Sequence, residues 1–193
     1  ILREINTKLK NILPVGIFCC AVMMDINFRK RKIKIWNGGL PDCFVRRHSD
    51  GRIEPVKSTH LPLGVLSNRA FKDNCEYLEL ELDDRIYVWS DGIHEARNAS
   101  GEMFGEARLK NVFTENRNVT TLFDEIIESV QHFVGGGEKD DDLSLLEIRM
   151  ADPAGVNAFA KEATDRFGNA DIEWAMRFEV KPTSFKVFDP LPM

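Results

Sequence analysis

The chain has little of what marks several large protein classes. No apolar run approaches the roughly 18–20 residues that a membrane-spanning helix requires; the longest, Val15 to Met24, contains Gly16 and two cysteines. Cysteine is scarce, four in 193 residues, with two adjacent (Cys19, Cys20) and none in the C-x-x-C spacing of a zinc site. That excludes a disulfide-dense secreted scaffold and predicts thiols that are reduced and buried. There is no excess of basic charge. Lys and Arg total 26 against 31 Asp and Glu, a net −5 with a pI near 5.5, which argues against a chain that neutralises nucleic-acid phosphates. Thirteen Gly and eight Pro are ordinary usage, so collagen-like and low-complexity chains are excluded.

What is present is 43% hydrophobic and 30% charged residues, enough for one domain with a core and a fragment of another. The first residues carry no charged segment followed by an apolar stretch and a cleavage site, so the two N-x-S/T triplets, at Asn98 and Asn118, are not expected to matter, and the expected location is the cytoplasm, without a membrane partner.

Apolar residues at Ile1, Ile5, Leu9, Ile12 and Leu13 predict an amphipathic helix at the start. Ile17 to Asn27 and Lys32 to Trp36 read as two strands joined by a basic turn, Asn27 to Arg31, taken as solvated rather than nucleic-acid binding. Asn37-Gly38-Gly39-Leu40-Pro41 breaks the second strand, Cys43 to Arg47 resumes extended structure, and Ser49 to Arg52 is a turn. Tyr77 to Leu82 alternates as a half-buried strand, and Arg85 to Ser90 is apolar throughout, as an interior strand. Asp91 to Gly105 reads as a polar loop, Leu122 to Phe133 as a helix ended by Gly135-Gly136-Gly137, and Leu143 to Ile148 as a last strand. Beyond Asp152 a second unit is expected, with a helix over Asn157 to Arg166 and a strand over Trp174 to Val180. Phe18, Trp36, Phe44 and Phe104 are expected in the core.

Two carboxylate clusters carry the chemistry. Ser90-Asp91-Gly92 stands at the end of an apolar strand, where a carboxylate on a rigid element can hold a divalent cation while Gly lets the backbone approach. Asp140-Asp141-Asp142 precedes the last strand, and a bound cation would relieve the mutual repulsion of these side chains. Taken singly, a turn and a solvated acidic loop explain them as well. His48, His60, His94 and His132 share no zinc-type spacing and read as surface or structural residues. His94, three residues after Asp91, is the exception, placed either to contact a substrate phosphate or to face solvent.

Taken in order, these landmarks resemble the metal-dependent protein phosphatase (PPM) superfamily, in particular the SpoIIE/RsbU branch of bacterial serine phosphatases. Asn37-Gly38-Gly39-Leu40-Pro41 resembles that branch's Asn-Ala-Gly-His-x-Pro turn, Leu61-Pro62-Leu63-Gly64 its Leu-Pro-Leu-Gly, and Ser90-Asp91-Gly92-Ile93-His94-Glu95-Ala96 its Thr-Asp-Gly-x-x-Glu-Ala. Phe104-Gly105 and Asp141-Asp142-Leu143-Ser144 complete the series, over residues 1–150. The resemblance implies an α/β (α+β) fold of two stacked, mostly antiparallel sheets flanked by helices, with a two-metal Mn²⁺ or Mg²⁺ site at one end. It implies metal-ligand roles for Asp91 and Asp141, close backbone approach at Gly92, an orienting role for Asp142 and loop stabilisation by Glu95. It also implies a phosphorylated anti-sigma-factor antagonist as substrate. A second copy of the chain is a further candidate partner.

Two features depart from that pattern. Leu40 stands where the histidine is expected, and the branch's upstream aspartates, in Gly-Asp and Asp-x-x-Gly-His-Gly motifs, do not occur in these 193 residues. Two alternatives follow: a piece of an active phosphatase, inactive alone, or a catalytically degenerate adaptor that binds a sigma factor or its regulator. Some relatives carry a phosphorylation-receiver domain before the phosphatase and a GHKL-type serine-kinase module after it. The strand at Trp174 could open such a module or pack on the phosphatase as part of a linker.

Overall fold

The computed structural model describes residues 1–27, 30–135 and 143–150, and the backbone of Trp174–Glu179. Helix α1 (Leu2–Ile12) is followed by strands β1 (Ala21–Asn27), β2 (Lys32–Gly38), β3 (Cys43–Arg46), β4 (Ile53–Val56), β5 (Glu76–Glu79) and β6 (Arg85–Trp89). A one-turn helix α2 (Gly92–Glu95), helices α3 (Gly105–Glu115) and α4 (Leu122–Val134), and strands β7 (Ser144–Arg149) and β8 (Trp174–Glu179) complete the order. The strands form two sheets, β1-β2-β5 and β4-β3-β6-β7-β8. Every pairing is antiparallel except that of β8, which lies parallel to β7.

Strand alternation sorts the apolar residues into separate cores. Ile33 and Ile35 of β2 meet Val45, Ile86, Val88 and Ile148 between the sheets. Trp36, of opposite parity, faces outward with Leu63 and Phe71 onto Leu2, Ile5 and Leu9 of α1. Tyr87 and Trp89 of β6 project from the other face of the larger sheet onto Phe113 of α3 and Phe123 and Ile126 of α4. The result is an α/β/β/α stack in which β6, buried at all five positions, is the central described strand. The fold expectation of two largely antiparallel sheets with flanking helices holds.

Several local expectations change. The first strand begins at Ala21, because residues 17–20 cross the sheet end with only Cys19 bridged to Leu63. Phe18 is therefore 54% exposed rather than in the core. Of the cysteines only Cys43 is buried; all four are free, and Cys19 is exposed. The strand from Tyr77 stops at Glu79, since Asp83 adopts a left-handed φ of 66° and the chain crosses to the other sheet. Asp84 holds that crossing from a buried position, accepting hydrogen bonds from the backbone N–H groups of His48 (2.8 Å) and Glu81 (2.9 Å) and an ion pair from Arg47 (2.8 Å). Strand β4 has no counterpart in the sequence reading; it contains Pro55 and sits at the sheet edge, where a missing N–H is tolerated. Helix α3 buries only Leu109 and Phe113, too narrow a stripe to announce itself. Helix α4 ends as expected, at Gly135 in the left-handed conformation. The helix expected at Asn157 to Arg166 lies outside the described residues.

Candidate functional site

The strand directions bring five segments to one end of the sandwich. Ala21 pairs with Gly38, so the start of β1 and the end of β2 share that end. Trp89 pairs with Leu145, so the end of β6 and the start of β7 share it as well. The Leu61 to Gly64 loop joins them through two backbone hydrogen bonds between Cys19 and Leu63 (3.0 and 2.8 Å) and another pair between His60 and the Asn37–Gly39 turn (3.2 and 3.3 Å). The landmarks around Asn37, Leu63, Ser90 and Ser144, scattered in sequence, thus gather at one end of the sandwich.

Asp91 leaves β6 at this end and caps α2. Its Oδ1 accepts from the Gly92 N–H at 3.1 Å, its carbonyl accepts from the Glu95 N–H at 2.9 Å, and Oδ2 has no hydrogen bond among the described residues. The side chain is exposed while Gly92 and Ile93 are buried. The turn therefore presents a carboxylate with one oxygen tied and one unengaged. Cys20 lies close by: burial raises its thiol pKa, and the negative charge of Asp91 raises it further. Gly39 explains how these segments approach, since a Cβ there would stand 2.5 Å from Pro62 Cγ and 2.8 Å from Cys20 Sγ, and its φ is +86°.

His94 neither faces solvent freely nor lies fully inside. Its side chain is 20% exposed, Nδ1 is buried without a partner among the described residues, and Nε2 lies 3.9 Å from the exposed Glu95 carboxylate. His60 is structural, stacked on Trp36 at 5.4 Å with Nε2 bonded to the Asn74 carbonyl at 2.8 Å. Asp141 and Asp142 lie outside the described residues. The sequence reading passed over Cys20 as a neighbour of Asp91, and no spacing signal links positions 71 residues apart.

Asp91 suits one place in the shell of a hard cation, because an unengaged carboxylate oxygen is the donor such ions prefer. Among the described residues no three His, Cys, Asp or Glu side chains converge as metal donors, so a complete shell needs donors from beyond them. Among the described residues no helix is long and apolar enough to cross a membrane.

The family model for stage II sporulation protein E (SpoIIE) matches residues 1–151. Protein IcfG of Synechocystis sp. is 26% identical over 135 residues, 69% of this chain and 21% of that protein. Among solved structures, the Mn-presoaked phosphatase domain of the cell fate determinant SpoIIE from Bacillus subtilis superposes with a TM-score of 0.56 at 17% identity, over 78% of this chain and 65% of that one. The SiaA-PP2C domain of Pseudomonas aeruginosa gives 0.59 at 13% identity, over 74% and 56%. The chain thus spans less than two thirds of each of these relatives, and about a fifth of the first. The structural likenesses concern the fold.

Proposed function

The chain belongs to the SpoIIE family of the metal-dependent protein phosphatases, and from that premise we propose that it is the C-terminal part of a bacterial phosphoserine/phosphothreonine phosphatase domain in signal transduction. Its substrate is a phosphorylated anti-sigma-factor antagonist. Asp91 and Asp141 supply ligands to a centre of two Mn²⁺ or Mg²⁺ ions, which the intact parent completes with upstream aspartates; the 193 residues alone are inactive. When bound, such ions lower the pKa of a coordinated water and neutralise phosphoryl charge.

The chain's own residues prepare that site. The end of β6 fixes Asp91, the Gly92 N–H holds one of its oxygens, and the exposure of the residue leaves its carboxylate accessible. Asp142 orients the neighbouring ligand, Glu95 steadies the loop, and His94 stands where a substrate phosphate would pass. The observation that carries the reading is the hydrogen-bonded junction of Ser90 with Ser144, because Asp141 is three residues before Ser144 and three residues of extended chain span no more than about 11 Å. Residues 151–193 are proposed as a linker and the start of a second unit, with β8 completing the edge of the larger sheet. The location proposed is the cytoplasm.

Release of phosphate from a phosphoserine form of the antagonist by the intact parent, with Mn²⁺ and with chelator, tests the proposal. Metal-dependent release is expected. Binding of the antagonist without release under any metal would instead establish the adaptor.

A further inference from the structure

Strand β1 forms one edge of the smaller sheet. It is paired with β2 along all seven of its residues, without a bulge, and with no other strand among the described residues. Every second residue of such a strand turns its N–H and C=O away from its neighbour, so β1 presents a row of hydrogen-bonding groups at the open edge.

The edges formed by β4 and β5 are blunted. Each is four residues long; β4 carries Pro55, and β5 carries the exposed Glu76 and Glu79. Short length, proline and charge all discourage pairing with another chain. Strand β1 is nearly twice as long and has neither proline nor lysine, with Asp25 as its single charge. Its inward residues Val22, Met24 and Ile26 pack on the inter-sheet core but stay only half-buried, as positions with a neighbouring strand on one side must.

The sequence of β1 is complementary to itself. Laid antiparallel on a copy about Met24, it sets Met24 against Met24 and Val22 against Ile26 on the inner face, and Met23 against Asp25 and Ala21 against Asn27 on the outer. Apolar residues meet apolar residues inside, and no like charges stand opposite. Lys34, the β2 partner of Asp25, already offsets that carboxylate. A slip of one residue would set inward side chains against outward ones, so the pattern selects this register.

We propose that the edge of β1 binds a second copy of this chain, β1 to β1 across a two-fold axis at Met24, joining two three-stranded sheets into one with the order β5-β2-β1-β1-β2-β5. The start of β1 lies at the end of the sandwich that carries Asp91. Antiparallel pairing therefore sends the two Asp91 ends to opposite ends of the shared sheet. Seven paired residues make a contact at the small end of protein interfaces, so the dimer is reversible and concentration-dependent. Nothing in this inference depends on the phosphatase reading.

The test is sedimentation equilibrium of the 193-residue chain over a range of concentrations, with hydrogen exchange of the β1 amides. A monomer–dimer equilibrium is expected, with those amides better protected at high concentration than at low. Met23→Asp puts a carboxylate against Asp25 of the second copy, twice by symmetry, and is expected to weaken the dimer about tenfold. Met23→Lys puts an ammonium group there and is expected to keep or tighten it, and the difference between the variants should shrink at high salt. The exchange data on the unaltered chain stand whether or not either variant folds. A monomer at every concentration, a dimer whose β1 amides exchange as fast as the monomer's, or equal dimer affinities in the two folded variants would overturn the proposal. Amides of β1 already protected in the monomer would overturn it in favour of another segment of the same chain on that edge.

Discussion

Ser90 and Ser144, 54 residues apart, are joined by two hydrogen bonds: the Ser90 N–H donates to the Ser144 carbonyl and the Ser144 N–H donates to Ser90 Oγ, each at 3.0 Å. The pair fastens the end of β6 to the entry of β7. Ser90 immediately precedes Asp91, and Ser144 follows Asp142 by two residues in the sequence, so the junction joins segments that neighbour the two acidic motifs. A carboxylate at the end of a central strand is held more precisely than one on a free loop, and a metal centre depends on that precision.

The crossing between sheets rests on Asp84. Its carboxylate, 1% exposed, holds Arg47 and two backbone N–H groups immediately before β6. Asp84→Ala would leave those donors unpaired in a buried place, and a loss of about 3 kcal/mol is expected. Equilibrium denaturation of the 193-residue chain measures it; a loss below about 1 kcal/mol would mean that water replaces the carboxylate.

The thiols are expected to differ in reactivity. Burial pushes the Cys43 thiol up to about 12, with the charge of Asp42 adding to it, whereas Cys19 is exposed. Mass spectrometry after brief alkylation near pH 8 should find Cys19 modified first, Cys20 more slowly and Cys43 last. The same shift sets a pH dependence. Cys43 keeps its proton in the fold while the unfolded thiol loses it near 9, so this stabilisation is complete below about pH 9 and is lost as pH rises towards 12. The buried Tyr87 hydroxyl, also raised, acts in the same direction. Denaturation midpoints should fall across that range, and less steeply in Cys43→Ala.

Gly39 is expected to tolerate no side chain. Its φ of +86° and the close approach of Pro62 and Cys20 leave no room for a Cβ. Gly39→Ala should destabilise the chain by about 2 kcal/mol and shift the amide resonances of Cys20 and Asp91. Shifts confined to residues 38–40 would mean that the turn relaxes on its own.

Much of this arrangement was legible in the sequence because burial imposes periodicity. Helix α4 announced itself through Phe123, Ile126, Ile127 and Val130, and β6 through an unbroken apolar run. Where an element buries little, the signal fades: α3 has two anchors and β4 is an edge strand carrying a proline. Phe18 and Cys19 misled because an apolar run was read as strand, while the backbone there is used to bridge Leu63 instead. The position of Asp91 just beyond a buried strand was legible in the apolar run that precedes it. The proximity of Asp91 to Cys20 was not, because it arises from the meeting of segments distant in sequence.

The most direct test of the account is phosphate release by the intact parent carrying Asp91→Asn or Asp141→Asn, assayed with Mn²⁺ on a phosphoserine protein. Loss of a metal ligand should cost more than the roughly 10–100-fold typical of residues that only orient one, with the denaturation midpoint of the Asp91→Asn chain nearly unchanged because that side chain is exposed. Full turnover in either variant, or undiminished release in chelator, would contradict the assignment of these aspartates to a metal centre.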